Sequence, residues 1–224
     1  IGEPVPGDEK ALRLWTDLLA AARLPERELG RDPTTLDGMI AAGILALQSL
    51  QRADGGMGYW RSGEASPWVT MRSALLLQTA VERGYRVPEP MLAGLSGWAR
   101  RMVETGDPNR TTIVAMGLRH LARTGDWMEP QMETLLARRS ELDLEARLHL
   151  ADAFYTVGRD DVGETLLNTI AIPEPRLPTG TGRFHSDLTD TALALEILLD
   201  RRPADPIIPE LVDRLIRARG DAGW

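Results

Sequence analysis

Three times this chain ends a helix-like run in a glycine-rich segment closed by an aromatic residue, and that recurrence narrows the possible folds more than any other feature. The fullest copy is Gln51-Arg52-Ala53-Asp54-Gly55-Gly56-Met57-Gly58-Tyr59-Trp60, and weaker echoes stand at Thr179–Phe184 and Arg219–Trp224. After the first two copies a new helical run starts within a few residues, at Ser66-Pro67 and Ser186-Asp187. A unit that repeats is one that cannot bury its apolar face alone, so the pattern predicts packed helical hairpins with aromatic wedges at their turns.

Apolar residues recur with helical spacing between breakers, while strand-like alternation bounded by hairpin turns is nearly absent. The spacing predicts an all-α protein with helices at 8–24, 34–51, 67–84, 89–105, 110–125, 129–138, 142–157, 160–171, 187–201 and 207–219. Ser66 and Ser186 can cap the helices that follow, and Pro67 loses nothing at a first helical position. Gly84, Gly125 and Gly158 supply left-handed stops after Arg83, Thr124 and Val157. Short connections make consecutive helices antiparallel. Broad apolar runs such as Leu75, Leu76, Leu77, Ala80 and Val81, or Leu193, Leu195, Ile197, Leu198 and Leu199, suggest inner helices covered by outer partners. An α/α toroid of the terpenoid cyclase and protein prenyltransferase kind fits this better than an open four-helix bundle, with an open superhelix of hairpins as the alternative.

Composition removes several function classes. The formal charge of −7, with 26 basic residues interspersed among acidic ones, disfavours a nucleic-acid or anionic-membrane surface. Zero cysteines leave no disulfide, thiolate metal site or thiol nucleophile. No apolar run is long enough to span a membrane. The chain starts at Ile1 and stops on the third turn copy at Trp224, which reads as a single domain, 1–224, cut from a larger protein with its ring left incomplete at the C-terminal end.

The stretch Leu47 to Tyr85, LQSLQRADGGMGYWRSGEASPWVTMRSALLLQTAVERGY, resembles the thioester-containing domain of bacterial alpha-2-macroglobulin-like proteins, relatives of the complement thioester domain. Leu144 to Ile170, Phe184 to Leu199 and Pro206 to Trp224 resemble the same domain, in order and with similar spacing. The ordered set carries the likeness over residues 34–224, because the Gln, Asp-Gly-Gly and Trp turn also occurs in terpene cyclases and prenyltransferase β-subunits. The resemblance implies a toroid inside a multidomain, envelope-associated or secreted inhibitor whose partners are its neighbouring domains and its target proteases. It further implies a Cys-x-Glu-Gln thioester motif near residues 1–15, where this sequence has neither Cys nor a Glu-Gln pair. Either the motif lies upstream or this member has none. The second is favoured because Ala11 to Leu24 resembles the family's helix after the motif. Without a cysteine thiol this chain forms no thioester.

Each site candidate has a structural account beside the functional one. The turn residues Gln51, Asp54, Gly55, Gly56, Gly58 and Trp60 could face a ligand, but glycines where a chain reverses under an aromatic lid suit a structural turn. Trp60, Trp68, Trp98 and Trp127 read as packing wedges. His120, His149 and His185 fall in no metal spacing, and no metal or cofactor is expected. His185 stands out slightly, just before Ser186, as a polar group that could sit at a toroid mouth. Asp187 and Asp190, three apart on one helix face, could pair as acids, although first-turn carboxylates also favour the helix dipole.

Neither Asp-x-Asp-Asp nor Asp-Asp-x-x-Asp occurs, so terpene cyclase chemistry lacks its usual acids. The expectation is a noncatalytic toroid domain acting through interdomain and protein–protein contacts. A terpenoid- or glycan-active enzyme of the same fold and a helical-repeat binding module are the alternatives.

Overall fold

A computed structural model describes residues 36–60, 62–107, 109–168 and 187–219. Among the described residues there are nine α-helices, one 3-10 turn at Arg139–Glu141 and no strand. The helices are α1 (Leu36–Leu50), α2 (Pro67–Glu82), α3 (Glu89–Thr105), α4 (Thr111–Arg123), α5 (Glu129–Ala137), α6 (Leu144–Thr156), α7 (Asp160–Asn168), α8 (Asp187–Arg201) and α9 (Ile208–Arg219). All fall inside the spans expected from periodicity, and the all-α class is the one found. The expected helix at 8–24, the cap at Ser186, the turn echo at Thr179–Phe184 and the end of the third copy lie outside the described residues.

Local signals set the helix ends. Ser66 Oγ accepts from Val69 N–H at 3.4 Å with Pro67 opening α2, and an Asp143 carboxylate oxygen accepts from Ala146 N–H at 2.7 Å to open α6. α2, α4 and α6 all stop in one way, on Gly84, Gly125 and Gly158 with φ of +84°, +78° and +79°. In each, the glycine N–H bonds the carbonyl three residues back and the next N–H bonds the carbonyl five back: Val81 and Ala80, Ala122 and Leu121, Tyr155 and Phe154. That pairing is the Schellman motif, which satisfies the carbonyls a helix end would otherwise leave bare.

The described residues form two compact units divided between Gly106 and Asp107. In the first, α2 packs on α3. Its core includes Ala74, Leu75, Leu77, Met91 and Leu95, with Met57 and Met71 wholly buried. In the second, α6 is central, packing against α4, α5, α7 and α8, while α9 packs on α8. Leu118, Leu148, Leu150 and Phe154 fill this core, and Gly163 lets α7 lie on Tyr155, since a Cβ there would fall 2.6 Å from the tyrosine ring. Thr112 Oγ1 donates to Asp143 near the start of α4 and α6, and Arg119 meets Asp152 further along both, so these two helices run in the same sense. α5 packs on both α4 and α6, and α7 on α6.

Not every residue of the apolar runs faces a core. Leu76, Val81 and Leu199 are exposed, because consecutive leucines point about 100° apart and a single stripe cannot bury them all. Alanine at Gly84, Gly125 or Gly158 meets nothing within 4 Å, so only the left-handed backbone opposes it. Each replacement should cost about 1–2 kcal/mol, and the three should be alike. Urea unfolding of the three variants checks this.

Candidate functional site

The glycine-rich turn of the first unit sits directly on α3. Gln51 Nε2 donates to Gly55 O at 3.1 Å and to Met91 O at 2.9 Å, tying the end of α1 to the turn and to α3 together. Arg101 donates to Asp54 O and Arg52 to Gly63 O. The Asp54 carboxylate accepts from Gly56 N–H at 3.0 Å, closing an Asx turn. Gly55 has φ +87°, and a Cβ on it would stand 2.1 Å from Gly94 O of α3. A Cβ on Gly56 would stand 2.7 Å from Trp98 Nε1, and one on Gly58 2.9 Å from Trp60 O. Met57 N–H donates to Thr70 Oγ1 at 2.9 Å, and Ser66 N–H donates to Met57 O at 2.8 Å, fastening the same turn to α2.

The aromatic residues divide differently from expectation. Trp98 packs beneath the turn, whereas Trp60 is 46% exposed and Trp127 53% exposed, so neither is a packing wedge. The space against Gly56 is already filled by the Trp98 ring and the Ala65 methyl.

A second cluster lies inside the second unit and was not singled out from sequence. Arg119 of α4 is 3% exposed and Asp152 of α6 4% exposed. Arg119 Nε donates to one Asp152 oxygen at 2.6 Å, Arg201 Nε of α8 donates to the other at 2.9 Å, and Arg119 Nη2 donates to Glu196 of α8 at 2.9 Å. Arg201 also donates to Thr156 Oγ1 at 2.7 Å. Burial works to lift the Asp152 pKa, but the guanidiniums of Arg119 and Arg201 outweigh it and hold the carboxyl below its usual range. For Arg119, burial works downward and the carboxylates of Asp152 and Glu196 outweigh it, so its pKa is raised.

His149, wholly buried on α6, adjoins this pair. Arg119 Nη1 lies 3.4 Å from His149 Nδ1, and a guanidinium can only donate, so Nδ1 is the acceptor and the ring proton sits on Nε2. That nitrogen faces buried Glu145 at 3.7 Å. Glu145, His149 and Asp152 recur at helical spacing on one face of α6, which was the available signal in the run LEARLHLADAFYT. Both oxygens of Asp152 are engaged, arginine does not give up its proton, and Nδ1 of His149 is occupied, so these groups can clamp helices but are poorly placed to move protons.

Among the other sequence candidates, Asp190 is buried in α8, Asp187 opens α8 with a side chain outside the described residues, and His185 lies outside them altogether. His120 is fully buried on α4, and burial, with Arg123 nearby, pushes its pKa down to about 4. Among the described residues no three His, Asp or Glu side chains are grouped as a metal site requires, and no helix is long and apolar enough to cross a membrane.

No protein-family model matches the chain, and none of the curated proteins is similar to it in sequence. Solved structures are similar. Salmonella alpha-2-macroglobulin reacted with methylamine is 22% identical over 97% of this chain and 15% of its own, with a TM-score of 0.72. Native Escherichia coli alpha-2-macroglobulin spanning the domain MG7 to the C-terminus is 21% identical over 100% of this chain and 37% of its own, at 0.68. The trypsin-activated Escherichia coli protein is 22% identical over 83% of this chain and 14% of its own, also at 0.68. The chain thus spans 14% to 37% of the length of these proteins. At such identity the likeness establishes the fold, and it matches the toroid class and the family resemblance read from the sequence.

Two outcomes follow from this geometry. Gly55→Ala adds a clash with Gly94 O to a left-handed strain, so it should destabilise by about 2–4 kcal/mol. That is more than Gly84→Ala in the same unit, and urea unfolding should show the gap; equal losses would remove the close approach from the account. His120 is neutral when folded and takes a proton near its ordinary 6.5 when unfolded. The unfolded chain therefore gains protons first on acidification, and the stability present above pH 6.5 falls as pH drops to about 4. The loss from this group should reach about 3 kcal/mol, and His120→Leu should flatten that part of the stability–pH curve. Asp152 titrates below its ordinary 3.8 and leaves the window clear.

Proposed function

We propose that this chain is a noncatalytic helical domain of a larger, bacterial alpha-2-macroglobulin-like protease inhibitor, acting through contacts with neighbouring domains and with target proteases. The observation that supports this most is the fold likeness, which covers 83% to 100% of the chain in macroglobulin structures. In this reading the turn at Gln51, Asp54, Gly55, Gly56, Gly58 and Trp60 is a structural joint, since its polar groups bond the turn itself, α2 and α3. The envelope or the cell exterior is the compartment that goes with it.

The buried cluster favours a scaffold over an enzyme. A general acid or base needs a titratable group free to exchange its proton with a substrate. Here Asp152 is held ionised between two guanidiniums, and His120 is held neutral inside the core. A chain with zero cysteines cannot form the cysteine–glutamine thioester of the family, so trapping by this chain is noncovalent.

The test is to incubate the full-length protein that contains this sequence with trypsin and elastase, and to follow digestion of casein and of a small chromogenic peptide in parallel. A trap should protect casein while leaving peptide cleavage intact, with no SDS-stable protease adduct carrying residues of this chain. Equal inhibition of both substrates, or none of either, would overturn the inhibitor reading, and an adduct mapped to this chain would overturn its noncovalent part.

A further inference from the structure

The charged contacts that hold α8 to the rest of the second unit are divided in an unusual way. Arg119 and Asp152, on α4 and α6, form one buried pair. Arg201 and Glu196, both on α8, close on that pair from the other side, Arg201 on Asp152 and Glu196 on Arg119. Each half of the network therefore carries one positive and one negative group. When α8 withdraws, Arg119 and Asp152 keep each other, while Arg201 and Glu196, already partly exposed at 29% and 47% of their side-chain surface, pass into water. Within this network no buried charge is stranded, and stranding is what makes breaking a buried ion pair costly.

The neighbouring contacts follow the same division. Arg202, just past α8, pairs with Glu164 of α7 at 2.7 Å and with Asn168 at 2.7 Å, and it has a second carboxylate, Asp205, within its own hairpin at 3.4 Å. The Arg201 guanidinium lies over the Tyr155 ring of α6 at 5.7 Å. α9 packs on α8, and its apolar face is thin: Leu211 is buried, but Val212 and Ile216 are exposed. Segments with few buried apolar side chains and solvent-facing helical turns are the ones that open below the global unfolding free energy.

We infer that α8 and α9 form a releasable flap that opens as one body from α4 and α6, with the Arg201 and Glu196 contacts as its latch and the Arg119–Asp152 pair as the part that stays. Opening bares the buried face of α8, Leu193, Ala194, Ile197 and Leu198, together with the part of α6 it covers. The inference stands on the second unit alone and is independent of the proposed inhibitor role.

Native-state hydrogen exchange read by mass spectrometry at increasing low urea tests it on the intact protein. Amides of residues 187–219 should exchange at least about tenfold faster than those of 144–156, through an opening smaller than global unfolding. Arg201→Gln removes a charged hydrogen bond from the latch, so it should speed exchange in 187–219 by about ten- to a hundredfold and leave 111–123 and 144–156 within about threefold. Glu196→Gln, at a more exposed position, should act severalfold in the same direction on the same helices, and it decides the matter if Arg201→Gln does not fold. Exchange of 187–219 in step with 144–156 in the unmodified protein, or equal acceleration of all these helices by either variant, would overturn the flap.

Discussion

A carboxylate buried as deeply as Asp152 has to be met at both oxygens by positive donors, and the arrangement of the second unit answers to that requirement. One oxygen is taken by Arg119 from α4 and the other by Arg201 from α8, so a single side chain on α6 sets where two other helices can lie. Apolar packing alone would hold these helices together with some freedom to slide. The two guanidiniums fix the level at which each passes α6, because one turn of slippage, about 5.4 Å, would take a donor away from one oxygen of the buried carboxylate. Leu118, Leu148, Leu150 and Phe154 supply the burial that drives association, and the ion network selects the register.

The first unit meets a comparable demand by removing side chains. Its turn approaches α3 so closely that the backbones of Gly55 and Gly94 come within van der Waals reach, and Gln51 spans the contact with one amide bonded to both sides. Backbone groups in a reversal of this kind have lost their helical partners, and those at the buried Gly55, Gly56 and Met57 have to be bonded by something local. Asp54, Arg52, Arg101 and Thr70 do so. Two glycines and five polar side chains are thus explained by the single need to turn a chain against a helix.

How far this could be read in advance depended on whether the signal was local. Helix spans and stops were legible because each rests on periodicity and on a nearby cap or glycine, as Ser66, Gly84, Gly125 and Gly158 show. The glycine turn was legible as a turn for the same reason. Exposure was less so: Leu76 sits in an apolar run and Trp60 closes the glycine turn, and only the packing of neighbours leaves them outside. Least legible was the network, since Arg119, Asp152, Glu196 and Arg201 come from three helices and each alone resembles an ordinary surface charge. What α6 offered was Glu145, His149 and Asp152 on one face among leucines and alanines, a stripe too polar to be free and too regular to be chance.

The two units therefore solve one problem, close approach of helices and turns, with opposite means, and the means differ in what they permit. A glycine contact such as Gly55 on Gly94 is short and unspecific in charge, and the Gln51 amide that bonds both sides of it keeps no partner across the gap once the surfaces part. A shared carboxylate such as Asp152 keeps one guanidinium when the other leaves, so its interface can separate without stranding a charge. The first kind of joint suits a part that must stay rigid and the second a part that must both dock in one register and let go. The glycine turn belongs to the first kind of joint, and the shared carboxylate between α6 and α8 to the second.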